Sequence, residues 1–356
     1  ANMLCHSVFT EFGWDGLRSC HGPGTVADLD FARKFDTPLV GNLSSNVRNQ
    51  RYGSFDYMSS LKDEPRPASH TDYFRRGHTS EFLCVPKDSR GPRTICREPS
   101  LNQFAQQGIR KYMESRINNF SLTKEKINFK KQCINGDLAL SSSVTREHST
   151  IDLSDASDRL TLALFEKVFC GTDVGNGIME CRSSHVVFPN GFELRLKKMS
   201  PMGSAVCFTI LSFTVWALLY AGFLLVGRDD LATSIRVYGD DIIVDSSAHE
   251  SAISILETYG LKVNVSKSFS KSFFRESCGV DAYFGVNVTP IRLRYHLTHD
   301  RLQAGVKSCL PSFVDTVRQL FKRGYFTAAE VLATLISEEG VLIPPGELTD
   351  PYLTFP

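Results

Sequence analysis

Residues 237–244 read VYGDDIIV, two adjacent carboxylates in an otherwise apolar, β-prone run. Burying charge is expensive, so a carboxylate in such a place must be paired, neutralised or bound to a metal. Gly-Asp is also ordinary turn chemistry, and Asp is common at turn tips. The stretch therefore reads as two short strand arms around a tight turn, with Asp240 and Asp241 at its tip. The turn reading and the metal reading have to be weighed against the rest of the chain.

The chain has 356 residues, 42% hydrophobic and 22% charged, enough for a large core divided into two or three subdomains. A net charge of +1 gives no global basic signature of a nucleic-acid binder, although a basic groove can sit on a neutral protein. The ten Cys are scattered, with no CxxC pair and no close Cys/His cluster. They read as reduced thiols of a cytosolic protein and suggest neither a zinc site nor a disulfide framework. The chain starts with Ala and shows no signal-peptide pattern, so it is expected to be a fragment of a longer protein. No residue from Met199 to Gly227 is charged, and length and hydropathy alone would pass this run as a membrane span. It opens with SPMGSA, carries several small and hydroxyl residues and stands alone, so the expectation is a helix buried on all sides.

Outward from the Asp pair, the first 60 residues are rich in Gly, Asn and Ser and read as irregular. Residues 100–118 follow a helical period, and 151–168 change from a short strand to a helix entered through Ser and Asp caps. A hairpin is expected at 185–197, turned at Asn190-Gly191. A helix at 247–259, a strand pair in FRESCGVDAYFGVNV, and amphipathic helices near 312–322 and 327–337 complete the pattern. Hairpins mixed with helices argue for an α+β fold over a parallel βαβ sheet.

If the strand ending at Asp152 neighbours the 237–244 hairpin, three carboxylates converge at one sheet edge. Bound cations are the natural compensation, and oxygen-only ligands suit magnesium, which also favours phosphates. In VPKDSRGPRTICREP, Lys87, Arg90, Arg93 and Arg97 outnumber the single acid Asp88 over residues 87–97. A solvated charged face is the default for such a run, but a triphosphate needs several cationic donors. Strand alternation would aim Arg93, Ile95 and Arg97 the same way.

VYGDDIIV resembles motif C of RNA-dependent RNA polymerases, STIDLSDASDRL motif A, and SPMGSAVCFTI motif B. GLKVNVSKSF and FRESCG follow in the order of motifs D and E, and VPKDSRGPRTICREPSLNQFAQQGI resembles motif F of the replicases of positive-strand RNA bacteriophages. With the early GPGT, the chain resembles the levivirus-like group of these replicases from about residue 20 to 295.

That resemblance implies a right-hand polymerase: an antiparallel palm sheet, helical fingers and a short or truncated thumb. It places fingers at 1–145, with the basic nucleotide segment at 84–98, and palm at 146–165. A fingers insert follows at 166–198, then palm at 199–290 and an incomplete thumb at 291–356. It implies template-directed RNA synthesis from ribonucleoside triphosphates, replicating a positive-strand viral genome. Asp152 and Asp240 would coordinate two Mg²⁺, for which Mn²⁺ could substitute, with Asp241 as a nearby ligand or charge. Lys267 would be the general acid, with Lys262 as competitor. Lys87, Arg90, Arg93 and Arg97 would meet the triphosphate, and Ser157 or Asp158 the ribose 2′-hydroxyl. Ser200, Gly203 and Ser204 would contact the template, and Arg275 and Glu276 the primer strand. Many relatives carry Asn in the motif B helix for ribose selection. Here the nearby candidates are Thr209 and Ser212. The implied partners are RNA, nucleotides, and the host elongation factors Tu and Ts with ribosomal protein S1, in the cytoplasm of an infected bacterium and without a membrane. A reverse transcriptase-like polymerase and a non-catalytic RNA-binding fragment are the alternatives.

Overall fold

The structure is a computed structural model and describes residues 1–14, 17–22, 24–27, 79–88, 91–293 and 299–338. It divides into two compact units, one of residues 1–83 with 94–288, the other of residues 84–93 with 289–356.

The first unit opens with α1 (Asn2–Val8), a helix in the stretch expected to be irregular. Its Cys5 and Val8 are fully buried, so tertiary packing overrides the loop-like composition around it. Strands β1 (Thr79–Asp88) and β2 (Gly91–Arg97) precede α2 (Ser100–Asn119) and α3 (Cys133–Thr145). Then come β3 (His148–Ile151), β4 (Leu153–Ser154), the short α4 (Ala156–Arg159), α5 (Leu162–Phe169) and α6 (Asp173–Glu180). The cap of α5 is Thr161, whose hydroxyl accepts from the Leu164 N–H, and not the Ser and Asp residues upstream. Those residues are spent on a separate turn, with Asp155 in the left-handed region at φ 53°.

Strands β5 (His185–Val187) and β6 (Glu193–Arg195) form the expected hairpin, and β1 pairs in parallel with β5 in a four-stranded sheet. The uncharged run becomes α7 (Cys207–Leu225), long and apolar enough to cross a membrane. In this structure most of it is buried, with Phe213, Val215, Trp216 and Leu219 fully enclosed by the main core. After α8 (Asp229–Ala232) come β7 (Arg236–Tyr238) and β8 (Asp241–Asp245), then α9 (His249–Thr258) and β9 (Lys262–Val263). Finally, β10 (Phe274–Ser277), β11 (Val280–Tyr283) and β12 (Val286–Asn287) make an antiparallel meander.

The sheet that positions the carboxylates is antiparallel, in the order β3-β8-β7. The central pairing is buried on both faces, Ile151, Ile242 and Val244 on one side and Thr150 and Ile243 on the other, and the two-residue turn between β7 and β8 sets the register of that hairpin. Phe269 exchanges two backbone hydrogen bonds with Thr150, at 3.0 and 2.8 Å, and closes the free edge of β3.

The second unit holds the tip of the β1–β2 hairpin together with α10 (His299–Lys322) and α11 (Phe326–Glu338). Phe313, Val317, Leu332 and Ile336 form its own small core. The expected helix near 312–322 is therefore the second half of a longer one, which carries Pro311 in its interior.

Candidate active site

Ile151 of β3 pairs with Ile242 of β8, so Asp152 leaves β3 beside Asp241, the first residue of β8. Tyr238 pairs with Asp241 across a two-residue Gly239-Asp240 turn. Three carboxylates thus meet at one end of the sheet, although they lie far apart in sequence. Gly239 has φ +67°, and a Cβ there would come within 2.4 Å of the Phe208 ring, so the turn requires glycine. The Gly239 N–H donates to Ser212 Oγ at 3.0 Å, while that hydroxyl donates to the Phe208 carbonyl. Ser212, a candidate for ribose selection, is instead committed to holding the turn, and Thr209 is fully buried.

Burial pushes the Asp152 carboxyl up to about 6, and Asp240 and Asp241 push in the same direction. Lys267 and the Asn264 amide oppose the shift. Asn264 donates through Nδ2 to Asp152 Oδ2 at 3.0 Å and through its backbone N–H to the Asp152 carbonyl at 2.9 Å. Asp241 is also raised, by burial first, against the stabilising Cys278 N–H. That N–H donates to Asp241 Oδ1 at 3.0 Å, and Ser277 Oγ donates to the same oxygen at 3.3 Å. Cys278 and Gly279 both have positive φ, +50° and +77°, as a two-residue hairpin turn between β10 and β11 requires.

Among the described residues no group of three or more His, Cys, Asp or Glu side chains closes into a metal cage. The donor set nevertheless fits a hard divalent cation, because it is all carboxylate and carries mutual repulsion that a cation would relieve.

Lys267 Nζ pairs with Glu276 at 2.8 Å and senses Asp152, whereas Lys262 is exposed on β9 opposite Ser154. Arg275 was expected at the primer strand, but the structure buries it completely. Its guanidinium donates to the carbonyls of His148, Ser270, Ser272 and Phe274. Asp158 pairs with Lys198 at 2.6 Å, and Ser157 is partly buried next to it. Arg97 is ion-paired with Glu81. Arg93 is exposed on β2, in the second unit, and Lys87 lies on β1 there. Arg90 and the Lys87 side chain lie outside the described residues.

The loop carrying Ser200, Gly203 and Ser204 is tightly fastened. Gln106 Oε1 accepts from Ser204 Oγ and from the Ala205 N–H, both at 3.0 Å, and Gln106 Nε2 donates to the Cys181 carbonyl. The Cys96 N–H donates to the Met202 carbonyl at 2.8 Å. At Gly203, φ is +112°, and a Cβ would sit 2.2 Å from the Cys96 carbonyl oxygen. Beneath the loop, Glu98 is buried, accepts from Ser183 Oγ, and is pushed up to about 7 by desolvation.

Glu98 carries a pH prediction. Its folded value lies above the unfolded one, so its contribution is present below about 4.5 and is lost as pH rises through about 7. Glu98→Gln should abolish that part of the pH dependence. The difference in unfolding free energy between pH 5.5 and pH 8 should shrink by about 2 kcal/mol relative to the parent chain. An unchanged difference would show that Glu98 does not titrate in this window.

Gln106, Glu98, Asn264 and Lys198 were not singled out from the sequence. Each is a polar residue whose partner is distant in the chain; Glu98 and Gln106 lie within the stretch that resembles motif F and Asn264 within that resembling motif D, whereas Lys198 precedes the motif B stretch.

Residues 17–302 match the family described as RNA replicase, beta-chain. The chain is 34% identical over 268 residues to the RNA-directed RNA polymerase subunit beta of Qbeta virus strain MX1, covering 72% of this chain and 44% of that one. It is 33% identical over 210 residues to the RNA-directed RNA polymerase beta chain of Escherichia phage MS2, covering 59% and 37%. The chain therefore spans less than half the length of these curated relatives. A solved structure described as an RdRp complex is similar in fold, with a TM-score of 0.54 at 13% identity over 90% of this chain and 30% of that one. The family match runs through both Asp152 and the Gly239-Asp240 turn, and this chain belongs to the RNA replicase beta-chain family.

Proposed function

We propose that the chain is the catalytic portion of an RNA-directed RNA polymerase that copies a positive-strand viral RNA from ribonucleoside triphosphates. The observation that carries this reading is the meeting of Asp152, Asp240 and Asp241 at one end of the β3-β8-β7 sheet, with Lys267 in electrostatic reach of Asp152. In this reading the 3′-hydroxyl of the growing strand attacks the α-phosphorus of a ribonucleotide and pyrophosphate leaves. Base choice comes from pairing with the template.

Asp152 and Asp240 would hold two Mg²⁺, or Mn²⁺ in their place, and Asp241 would support them from its seat on Cys278 and Ser277. When bound, such ions activate the attacking hydroxyl and neutralise phosphate charge. Asn264 orients the Asp152 carboxylate. Glu276 keeps the Lys267 ammonium raised above its ordinary value, so Lys267 acts first as a fixed positive charge. Proton donation to pyrophosphate would require that ion pair to loosen. Arg93, Lys87, Arg90 and Arg97 are proposed triphosphate contacts, the last on release from Glu81. Ser200, Gly203 and Ser204 form the proposed template edge. Arg275 is withdrawn from the primer contacts, because its donors are already used within the protein.

The palm is assigned to 146–165 and 199–290, the fingers to 1–145 and 166–198, and the thumb to 291–356. The partners proposed are RNA, nucleotides, and the host factors Tu, Ts and S1, in the cytoplasm of an infected bacterium and without a membrane. The test is extension of a primed RNA template with labelled ribonucleotides and Mg²⁺, beside a deoxyribonucleotide arm. Preference for deoxyribonucleotides would favour a reverse transcriptase. RNA binding without extension by either nucleotide class, in a folded sample, would favour a non-catalytic fragment.

A further inference from the structure

Lys198 has no role in the mechanism above, yet its backbone is held from several sides. Arg182 donates through Nη2 to the carbonyls of Leu196 and Lys198, at 2.8 and 3.0 Å, and through Nε to that of Met199 at 2.9 Å. Arg182 is itself buried, and both its Nε and its Nη2 donate to this segment. Across the other edge, the Met199 N–H donates to the Leu160 carbonyl at 2.7 Å, and the Leu162 N–H to that of Lys197 at 3.1 Å. Burying a guanidinium to fix three carbonyls within a four-residue segment makes sense where a position must be accurate.

The side chain, by contrast, is only lightly held. Lys198 Nζ meets Asp158 Oδ1 at 2.6 Å, with Asp158 about half exposed, 51%, and Lys198 24% exposed. With Asp158 half exposed, water and salt compete for the pair, which limits what it adds to stability. Lys198 also stands where motifs A, B and F meet. Asp158 belongs to the first, Ser200 follows two residues later, and Cys96 of β2 and Cys207 of α7 both feel the charges of Lys198 and Asp158. Cys207, the first residue of α7, feels Asp240 as well, and Asp158 on α4 follows Asp152 by six residues.

We propose that Lys198 is a nucleotide-binding residue that takes the polyphosphate of the incoming nucleotide, and that its pair with Asp158 is the resting state of an exchange. A polyphosphate offers several negative charges against the single charge of Asp158, and so draws the ammonium away. The released Asp158 carboxylate is then free to accept a hydrogen bond from the ribose 2′-hydroxyl. Binding of the phosphates and sensing of the sugar are thereby linked through one side-chain movement. This inference rests on the polymerase reading given above.

Two variants of the 356-residue chain separate the two halves of the exchange. Lys198→Met should raise KM for ribo- and deoxyribonucleotides alike by about ten-fold, change kcat by less than about three-fold, and leave the ribose preference intact. It should also weaken inhibition by inorganic tripolyphosphate by a similar factor, and Lys198→Arg should restore most of both. Asp158→Asn should lower the preference for ribonucleotides while leaving tripolyphosphate inhibition in place. Unchanged KM and tripolyphosphate inhibition in a folded Lys198→Met chain would overturn the proposal. So would equal damage from Lys198→Arg and Lys198→Met, which would mark the residue as structural. If the unaltered chain extends no primer and binds no tripolyphosphate, the polymerase reading itself fails, and this inference with it.

Discussion

Replacing Asp240 by Asn should reduce ribonucleotide incorporation on a primed RNA template by on the order of a thousand-fold, equivalent to about 4 kcal/mol of transition-state stabilisation. The amide has the shape of the carboxylate, and Asp240 is exposed at the tip of a two-residue turn whose geometry is set by Gly239 and Ser212. The substitution therefore removes charge and leaves the backbone alone. Asp240 also raises the Asp152 carboxyl, so its neutralisation should relieve repulsion and leave the melting temperature equal or slightly higher. Loss of activity without loss of stability is the signature of a functional carboxylate. Activity retained within a few-fold would remove Asp240 from the chemistry and return the GDD stretch to a turn with structural value only.

Arg275→Met should act in the opposite way. Arg275 is fully buried, and its guanidinium joins residues 270–274 to the start of β3 through the carbonyl of His148. Methionine fills much of the volume but leaves several buried carbonyl oxygens without a donor. Each such group costs roughly 1–3 kcal/mol, so a total loss of about 3–5 kcal/mol is expected. Urea denaturation should show the fall in the midpoint. RNA affinity per folded molecule should remain within about two-fold, because the side chain does not reach the surface. A variant of parental stability with markedly weakened RNA binding would reinstate Arg275 as a strand contact.

These two residues illustrate what a linear reading can and cannot reach. The β7–β8 hairpin was legible because its signals are local: a glycine-containing turn between short, apolar arms rich in β-branched residues. The length of α7 was legible for the same reason, since an uncharged run of that length has few alternatives to a buried helix. The short α1 was missed because its helical state depends on Cys5 and Val8 packing into a core built by residues far away. The start of α5 was misplaced because several Ser, Thr and Asp residues could serve as cap, and only the fold selects Thr161.

At the candidate site the same division holds. The types of residue needed for the proposed chemistry, carboxylates in two separated motifs and cations in others, stand in the sequence itself. Their meeting does not, because it depends on the long-range pairing of β3 with β8, whose central residues are buried on both faces of the sheet. Partner choice among the charged residues is likewise tertiary. Lys267 with Glu276, Lys198 with Asp158, and Arg275 with four carbonyls are contacts that no spacing rule predicts. By itself, the sequence determined the local conformations and the chemical inventory, since turn preference, periodicity and side-chain type are properties of short segments. Only the tertiary structure decided which of those charges face one another, because long-range strand pairing and core packing bring together residues that the chain keeps apart.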